Sequence, residues 1–142
     1  ISWKHKPSGG TTDYAVEMYF DAVESGKYEC FVNRNTRLPM MFMDDAIRAT
    51  LELMDAPLDS LNYHSNYNLS SMSFSAEELE KEISAHVDFN CLYKPDYRQD
   101  IADTWPISIN DDDARKDWGW EPKFDISKMT EEMITNLRRL NE

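Results

Sequence analysis

Between Asp13 and Ser25 the apolar residues Ala15, Val16, Tyr19, Phe20 and Val23 recur at the spacing of one helix face, which predicts an amphipathic helix stopped by Gly26. The pattern then shortens. "YECFV" (Tyr28–Val32) is aromatic and β-branched, which predicts a strand. "NRNT" turns the chain into "RLPMMFM", a second predicted strand. Pro39 has no N–H to give a ladder, so this strand lies at an edge or begins near the proline. Ile47, Leu51 and Met54 predict a helix from Asp45 to Asp55, with Pro57 after its end. "SNYNLS" (Ser65–Ser70) reads as a strand. In "FSAEELEKEISAHV", Ser75 and Glu78 stand three apart as a capping box, and Phe74 and Leu79 flank it as a hydrophobic staple. "DFNCLYK" predicts another strand. Ile126, Met129, Met133, Leu137 and Leu140 predict a terminal helix.

Helix and strand signals alternate without an internal repeat or a low-complexity linker, an α/β or α+β arrangement. The length of 142 residues suits one domain with a core of its own. A net charge of −12 argues against a nucleic-acid surface, which needs clustered Lys and Arg. Cys30 and Cys91 are too few for a disulfide framework and fit small apolar fillers in a reducing compartment. No apolar run approaches the roughly 20 residues of a membrane span. Ile1 in first position leads to the expectation of a fragment or processed product.

The candidate chemistry begins with "KPSGGTTDYAVEMYF" (Lys6–Phe20). Thr or Asp before a helix can cap it, so "GGTTD" reads as a loop with an N-cap. The same residues also suit a pocket. Free amides at the positive helix end could hold a carboxylate, Thr11 could add a hydroxyl, and Asp13 could pair with an ammonium. Spacing leaves both readings open. In "DIADTWPISINDDDARKDWGW" (Asp100–Trp120), Asn110 can cap a short helix that Gly119 ends, and Trp118 and Trp120 read as packing residues. Asp111, Asp112 and Asp113 lack the spacing of a calcium loop, and no metal is expected. Trp105, in a loop-like stretch before Pro106, could wall a pocket or simply pack. Arg37 reads as solvated surface. His5, His64 and His86 are too scattered for zinc. Neither GxSxG nor GxGxxG occurs, so neither a hydrolase elbow nor a dinucleotide turn is present.

The runs "GGTTDYAVEMYFDAV", "TRLPMMFMDDAIRATLELM", "YNLSSMSFSAEEL", "YRQDIADTWP" and "DDDARKDWGW" together resemble the C-terminal half of L-threonine 3-dehydrogenases of the extended short-chain dehydrogenase/reductase type. The resemblance spans almost the whole chain in the family's order. It implies that residues 1–142 are the substrate-binding part of a Rossmann-type α/β fold, lacking the glycine-rich nucleotide-binding half. A late strand of the large sheet would then fall near residues 65–70. Such enzymes oxidise L-threonine with NAD to 2-amino-3-oxobutanoate and NADH. The catalytic tyrosine, lysine and serine or threonine belong upstream, so this piece by itself should be inactive. The resemblance further implies that Thr11, Asp13 and Trp105 bind substrate and that Ile1 lies beside the nicotinamide. It implies a homodimer, mitochondrial in eukaryotes and otherwise cytoplasmic. A nucleotide-sugar epimerase or dehydratase of the same fold, or a non-catalytic amino-acid-binding domain, are the rival readings.

Overall fold

The computed structural model describes residues 1–64 and 66–141. α1 (Tyr14–Glu24) buries Tyr14, Ala15, Met18, Tyr19 and Ala22, with Val16, Phe20 and Val23 at the rim of the same core. It packs against α3 (Ala76–Ser84), α6 (Ile126–Leu140) and β1 (Lys27–Cys30). A buried hydrogen bond of 2.6 Å between the hydroxyls of Tyr19 and Thr130 ties α1 to α6. The helix stops where expected, because Gly26 takes φ 71° and a side chain there would start 2.9 Å from the carbonyl oxygen of Asp88. Gly26→Ala is therefore expected to cost at least about 2 kcal/mol in thermal denaturation, from left-handed strain plus that clash. A loss under about 0.5 kcal/mol would mean that the turn adapts instead.

The strands form two small ladders. β1 runs parallel to β4 (Asn90–Tyr93), with Tyr28 opposite Cys91 and Cys30 opposite Tyr93. β2 (Arg37–Met40) is antiparallel to β3 (Met72–Ser75), with Pro39 opposite Ser73. Each ladder has two strands, so the proline occupies an edge, as its missing donor requires. Cys30 and Cys91 are buried free thiols. At the start of α3 both halves of the capping box form: Glu78 N–H donates to Ser75 Oγ at 3.2 Å, and Ser75 N–H donates to the Glu78 carboxylate at 2.7 Å. Phe74 and Leu79 both enter the main core. In α6, Met129, Met133 and Leu137 are buried as the spacing predicts, whereas Leu140 is exposed.

A smaller core gathers Ala49, Ala114 and Trp120 with Met41, Tyr67, Leu69 and Trp118. It joins α2 (Met43–Asp55) to α5 (Asp112–Trp118). α5 ends at Gly119 in the left-handed conformation, φ 75°.

Three points differ from the sequence-based reading. Ser65 lies outside the described residues, and residues 66–70 form no strand; the strand begins only at Met72. Side chains hold this stretch instead of a ladder. Ser70 N–H donates to Asp111 at 3.1 Å, Ser70 C=O accepts from Trp120 Nε1 at 3.0 Å, and the Tyr67 hydroxyl donates to Asp117 at 2.5 Å. The second correction concerns α2, whose spacing-defined apolar stripe is not its buried face. Asp45 and Ala49 are buried, while Ile47, Leu51 and Met54 face outward. The third is α4 (Tyr97–Ala102), a short helix unforeseen in the sequence and capped by Asp96, whose side chain accepts from Arg98 N–H at 2.8 Å.

Candidate functional site

The loop before α1 closes on its own aspartate. Asp13 Oδ2 accepts hydrogen bonds from the backbone N–H groups of Ser8, Gly9 and Gly10 at 3.1, 2.8 and 2.6 Å. Asp13 N–H returns a bond of 3.1 Å to Gly10 C=O. Gly9 adopts φ 105°, and a side chain on Gly10 would begin 3.3 Å from Asp13 Oδ1. The two glycines are thus what let three amides converge on one carboxylate oxygen. An anion site of the expected kind does form, but Asp13 itself fills it. Those amides are consumed, so the sequence-based division of labour, loop amides for a carboxylate and Asp13 for an ammonium, does not match this geometry. Asp13 acts here as the clamp that shapes the loop. The half-buried Thr11 side chain has no hydrogen-bond partner among the described residues and remains available to a ligand.

Directly behind the clamp, Tyr14 is fully buried and packs edge-on against Phe31, ring centroids 6.0 Å apart. Its phenolic oxygen has no hydrogen-bond partner among the described residues, and burial pushes its pKa well up. The sequence reading missed Tyr14. Its signal was a residue with a polar tip placed first on the buried face of the helix.

Trp105 lies elsewhere. It follows α4, is 43% exposed, and walls a cavity of about 400 Å3 with Asn33, Thr36, Arg37, Gln99 and Ile107. That lining contains neither Thr11 nor Asp13. Gln99 forms a buried polar floor: its Oε1 accepts from Asn33 N–H at 2.6 Å and from the Thr36 hydroxyl at 2.9 Å, and its Nε2 donates to Asp103 at 2.6 Å. Arg37 is not loose surface. It donates to Ser73 C=O at 2.6 Å and to the Glu78 carboxylate at 2.5 Å. The Ser75 N–H, and then Arg37, hold the Glu78 carboxyl below the usual carboxylate range. Arg37 is therefore ion-paired at the cavity edge, and among the described residues the cavity lining adds amides, an indole and the Asp103 carboxylate.

Ile1 lies beside the residues leading into α2. Its backbone nitrogen donates to Met41 C=O at 2.7 Å, and Met43 N–H donates to Ile1 C=O at 2.8 Å, a parallel pairing that brackets Phe42.

The acidic motifs turn out to be fasteners. Asp45, fully buried in the first turn of α2, accepts from the N–H groups of Lys123 and Phe124 at 3.0 Å each and from Arg48 at 2.8 Å. Arg48 also stacks over Trp120, 4.6 Å from its ring centroid, and donates to Glu121 C=O. "MDDAIRA" and "WGWEPKF" are thereby locked together. Asp117 receives Asn62 N–H at 2.9 Å and the Tyr67 hydroxyl at 2.5 Å. Tyr67, and then Asn62, keep its carboxyl below the ordinary range. Asn110 Oδ1 accepts from Asp112 N–H at 2.9 Å at the start of α5, close to the cap that the sequence suggests. Among the described residues no group of three or more His, Cys, Asp or Glu is placed to hold a metal.

A scan against protein-family models finds no match. Individual proteins do match. The mitochondrial L-threonine 3-dehydrogenase of Bos taurus is 48% identical over 136 residues, covering 94% of this chain and 36% of that protein. An uncharacterized epimerase/dehydratase of Staphylococcus haemolyticus is also 48% identical, covering 94% of this chain and 43% of its own length. Among solved structures, the L-threonine dehydrogenase of Phytophthora infestans superposes with a TM-score of 0.94 at 48% identity, over 99% of this chain and 46% of that one. By sequence and by fold, the chain is related to the L-threonine 3-dehydrogenases. It has the fold of the C-terminal part of an extended short-chain dehydrogenase/reductase. It spans 36–43% of the length of those two relatives.

A nicotinamide dinucleotide implied by this kinship does not fit the residues present. The one glycine-rich loop that opens a helix spends its amides on Asp13, and no strand leads directly into it. A nucleotide site would need residues outside this chain. No helix among the described residues is long and apolar enough to cross a membrane.

Proposed function

We propose that this chain forms the substrate-side part of an NAD-dependent L-threonine 3-dehydrogenase, which oxidises the side-chain hydroxyl of L-threonine to 2-amino-3-oxobutanoate. The observation that carries this reading is the 48% identity to a threonine 3-dehydrogenase across 94% of the chain. The site geometry supports it. A zwitterion taken out of water needs a partner for each charge. The loop presents the Thr11 side chain, which has no partner among the described residues, beside the start of α1 as a hydroxyl for the substrate. Asp13 keeps its second oxygen, Oδ1, outside the three-amide clamp. Trp105, exposed on one cavity wall, supplies a large apolar face for closing a pocket against water. Proton and hydride transfer, and the tyrosine, lysine and serine or threonine that would carry them, belong to a part of the protein outside this chain, as does the nucleotide. The working enzyme would be a homodimer, mitochondrial in a eukaryote.

The test is turnover by the full-length protein with L-threonine as sole substrate and NAD as oxidant, followed by NADH absorbance. NADH formation that depends on L-threonine is the expected result. Turnover of a nucleotide sugar in its place would transfer the protein to the epimerase/dehydratase reading. Threonine binding without any nicotinamide reduction would leave only a binding domain.

A further inference from the structure

α4 is too short to hold itself. Its 6 residues make fewer than two turns, far below the length at which an isolated helix is stable in water. Its buried members are Gln99 and Ala102, while Tyr97 and Ile101 are exposed. Trp105 hangs from the last turn of this helix. Asp103 N–H donates to Gln99 C=O at 2.9 Å, Thr104 N–H to Ile101 C=O at 3.1 Å, and Trp105 N–H to Ala102 C=O at 3.1 Å. Where the indole stands therefore depends on what fastens the end of α4.

Gln99 is that fastener. Its Oε1 takes the Asn33 N–H and the Thr36 hydroxyl, and its Nε2 gives to Asp103, so the acceptor end and the donor end of one amide are both engaged. The turn it grips is itself fixed. Thr36 N–H donates to Asn33 C=O at 3.0 Å, and the start of α3 adds two more bonds, Ala76 N–H to Thr36 C=O at 3.2 Å and Glu77 N–H to Arg34 C=O at 2.8 Å. The turn is the anchor, and α4 is the element hung on it. One buried side chain thus connects a rigid turn to the carboxylate two residues before Trp105, through bonds that all lie within this chain.

We propose that Gln99 is a positioning residue for threonine oxidation: it sets Trp105 against the substrate by tying the end of α4 to the Asn33–Thr36 turn. The inference rests on the reading that Trp105 closes the substrate pocket. Gln99 acts through Asp103 and the last turn of α4, and touches no reacting atom.

The experiment reverses the polarity of the Gln99–Asp103 bond in the full-length protein. Fluorotryptophan is incorporated throughout, and Trp105→Phe assigns the Trp105 fluorine resonance. Gln99→Glu keeps an acceptor for Asn33 and Thr36 but turns a carboxylate on Asp103. It is expected to raise KM for L-threonine about tenfold, to change KM for NAD less than about twofold, and to shift or broaden the Trp105 resonance. The Trp118 and Trp120 resonances should stay in place, because those rings belong to the smaller core. Adding Asp103→Asn to Gln99→Glu supplies an amide that donates to the new carboxylate. KM should then return to within about threefold of the parent value, and the Trp105 resonance to its place. A Gln99→Glu protein with unchanged KM and an unmoved Trp105 resonance would overturn the proposal. So would equal losses for threonine and NAD, or a double variant no better than Gln99→Glu, either of which reduces Gln99 to general packing. The two readings fail separately. A full-length protein that oxidises no L-threonine removes the enzymatic reading, while the fluorine resonance still decides whether Gln99 holds Trp105. One that oxidises L-threonine but shows an unmoved resonance in Gln99→Glu refutes the positioning alone.

Discussion

Asp45→Ala is expected to lower the stability of this chain by about 3–5 kcal/mol, read as a fall in the urea midpoint at constant slope. The carboxylate is fully buried and takes the N–H groups of Lys123 and Phe124 together with the Arg48 guanidinium. Truncation removes the carboxylate that these three donors share in one step. Two amides lose their acceptor, and Arg48, with a side chain only 21% exposed, loses its most deeply buried partner while Glu52 remains. Leaving groups unpaired in a place water does not reach is what makes the loss large. Asp45→Asn keeps an acceptor without the charge and should cost less, about 1–3 kcal/mol. The neighbouring Asp44 is exposed, and Asp44→Ala should stay within about 0.5 kcal/mol. Equal losses at positions 44 and 45 would show that the network does not hold the loop.

The second large effect separates two roles for one residue. In the full-length protein, Asp13→Ala should reduce kcat/KM for L-threonine about 10²-fold, the scale expected when a positioning element slips by an ångström. NAD affinity should change less than about threefold, because the loop amides that Asp13 gathers are not shaped for a pyrophosphate. Asp13→Asn is the informative variant. If Asp13 works as the clamp for Ser8, Gly9 and Gly10, one amide oxygen can still receive the three N–H groups, and most of the activity should return. If it works by its charge on the substrate ammonium, Asp13→Asn should be as damaged as Asp13→Ala. The clamp is the role favoured here, and a dead Asn variant with an intact fold would sink it.

Much of the fold was readable wherever a signal was local. Ser75 and Glu78 are close in sequence and need only each other, so the capping box could be named from the letters alone. Gly26 and Gly119 stop their helices by a backbone conformation other residues resist. The site was only half readable. Thr11 and Asp13 stood out because glycine, threonine and aspartate before a helix converge on few geometries. The partner of the loop amides could not be read, since a ligand carboxylate and the side chain of Asp13 make the same demand on them. α4 escaped because six residues give too few turns for a periodic pattern, and only the Asp96 cap marked it. The stretch before Met72 looked like a strand because tyrosine, leucine and asparagine in alternation resemble a half-buried ladder. Its backbone is held instead by Asp111 and Trp120, some forty and fifty residues away.

By itself the sequence determined where α1, α3 and α6 run, where the glycines break the chain, and that this chain carries no dinucleotide turn. Those properties follow from neighbours within one or two helical turns. Only the tertiary structure decided which face of α2 is buried, which aspartates are fasteners, and that Trp105 walls a cavity floored by Gln99. Periodicity reports that a face is apolar, but it carries no term for what packs against it. Charge reports that a carboxylate exists, but the donors that surround it arrive from distant parts of the chain.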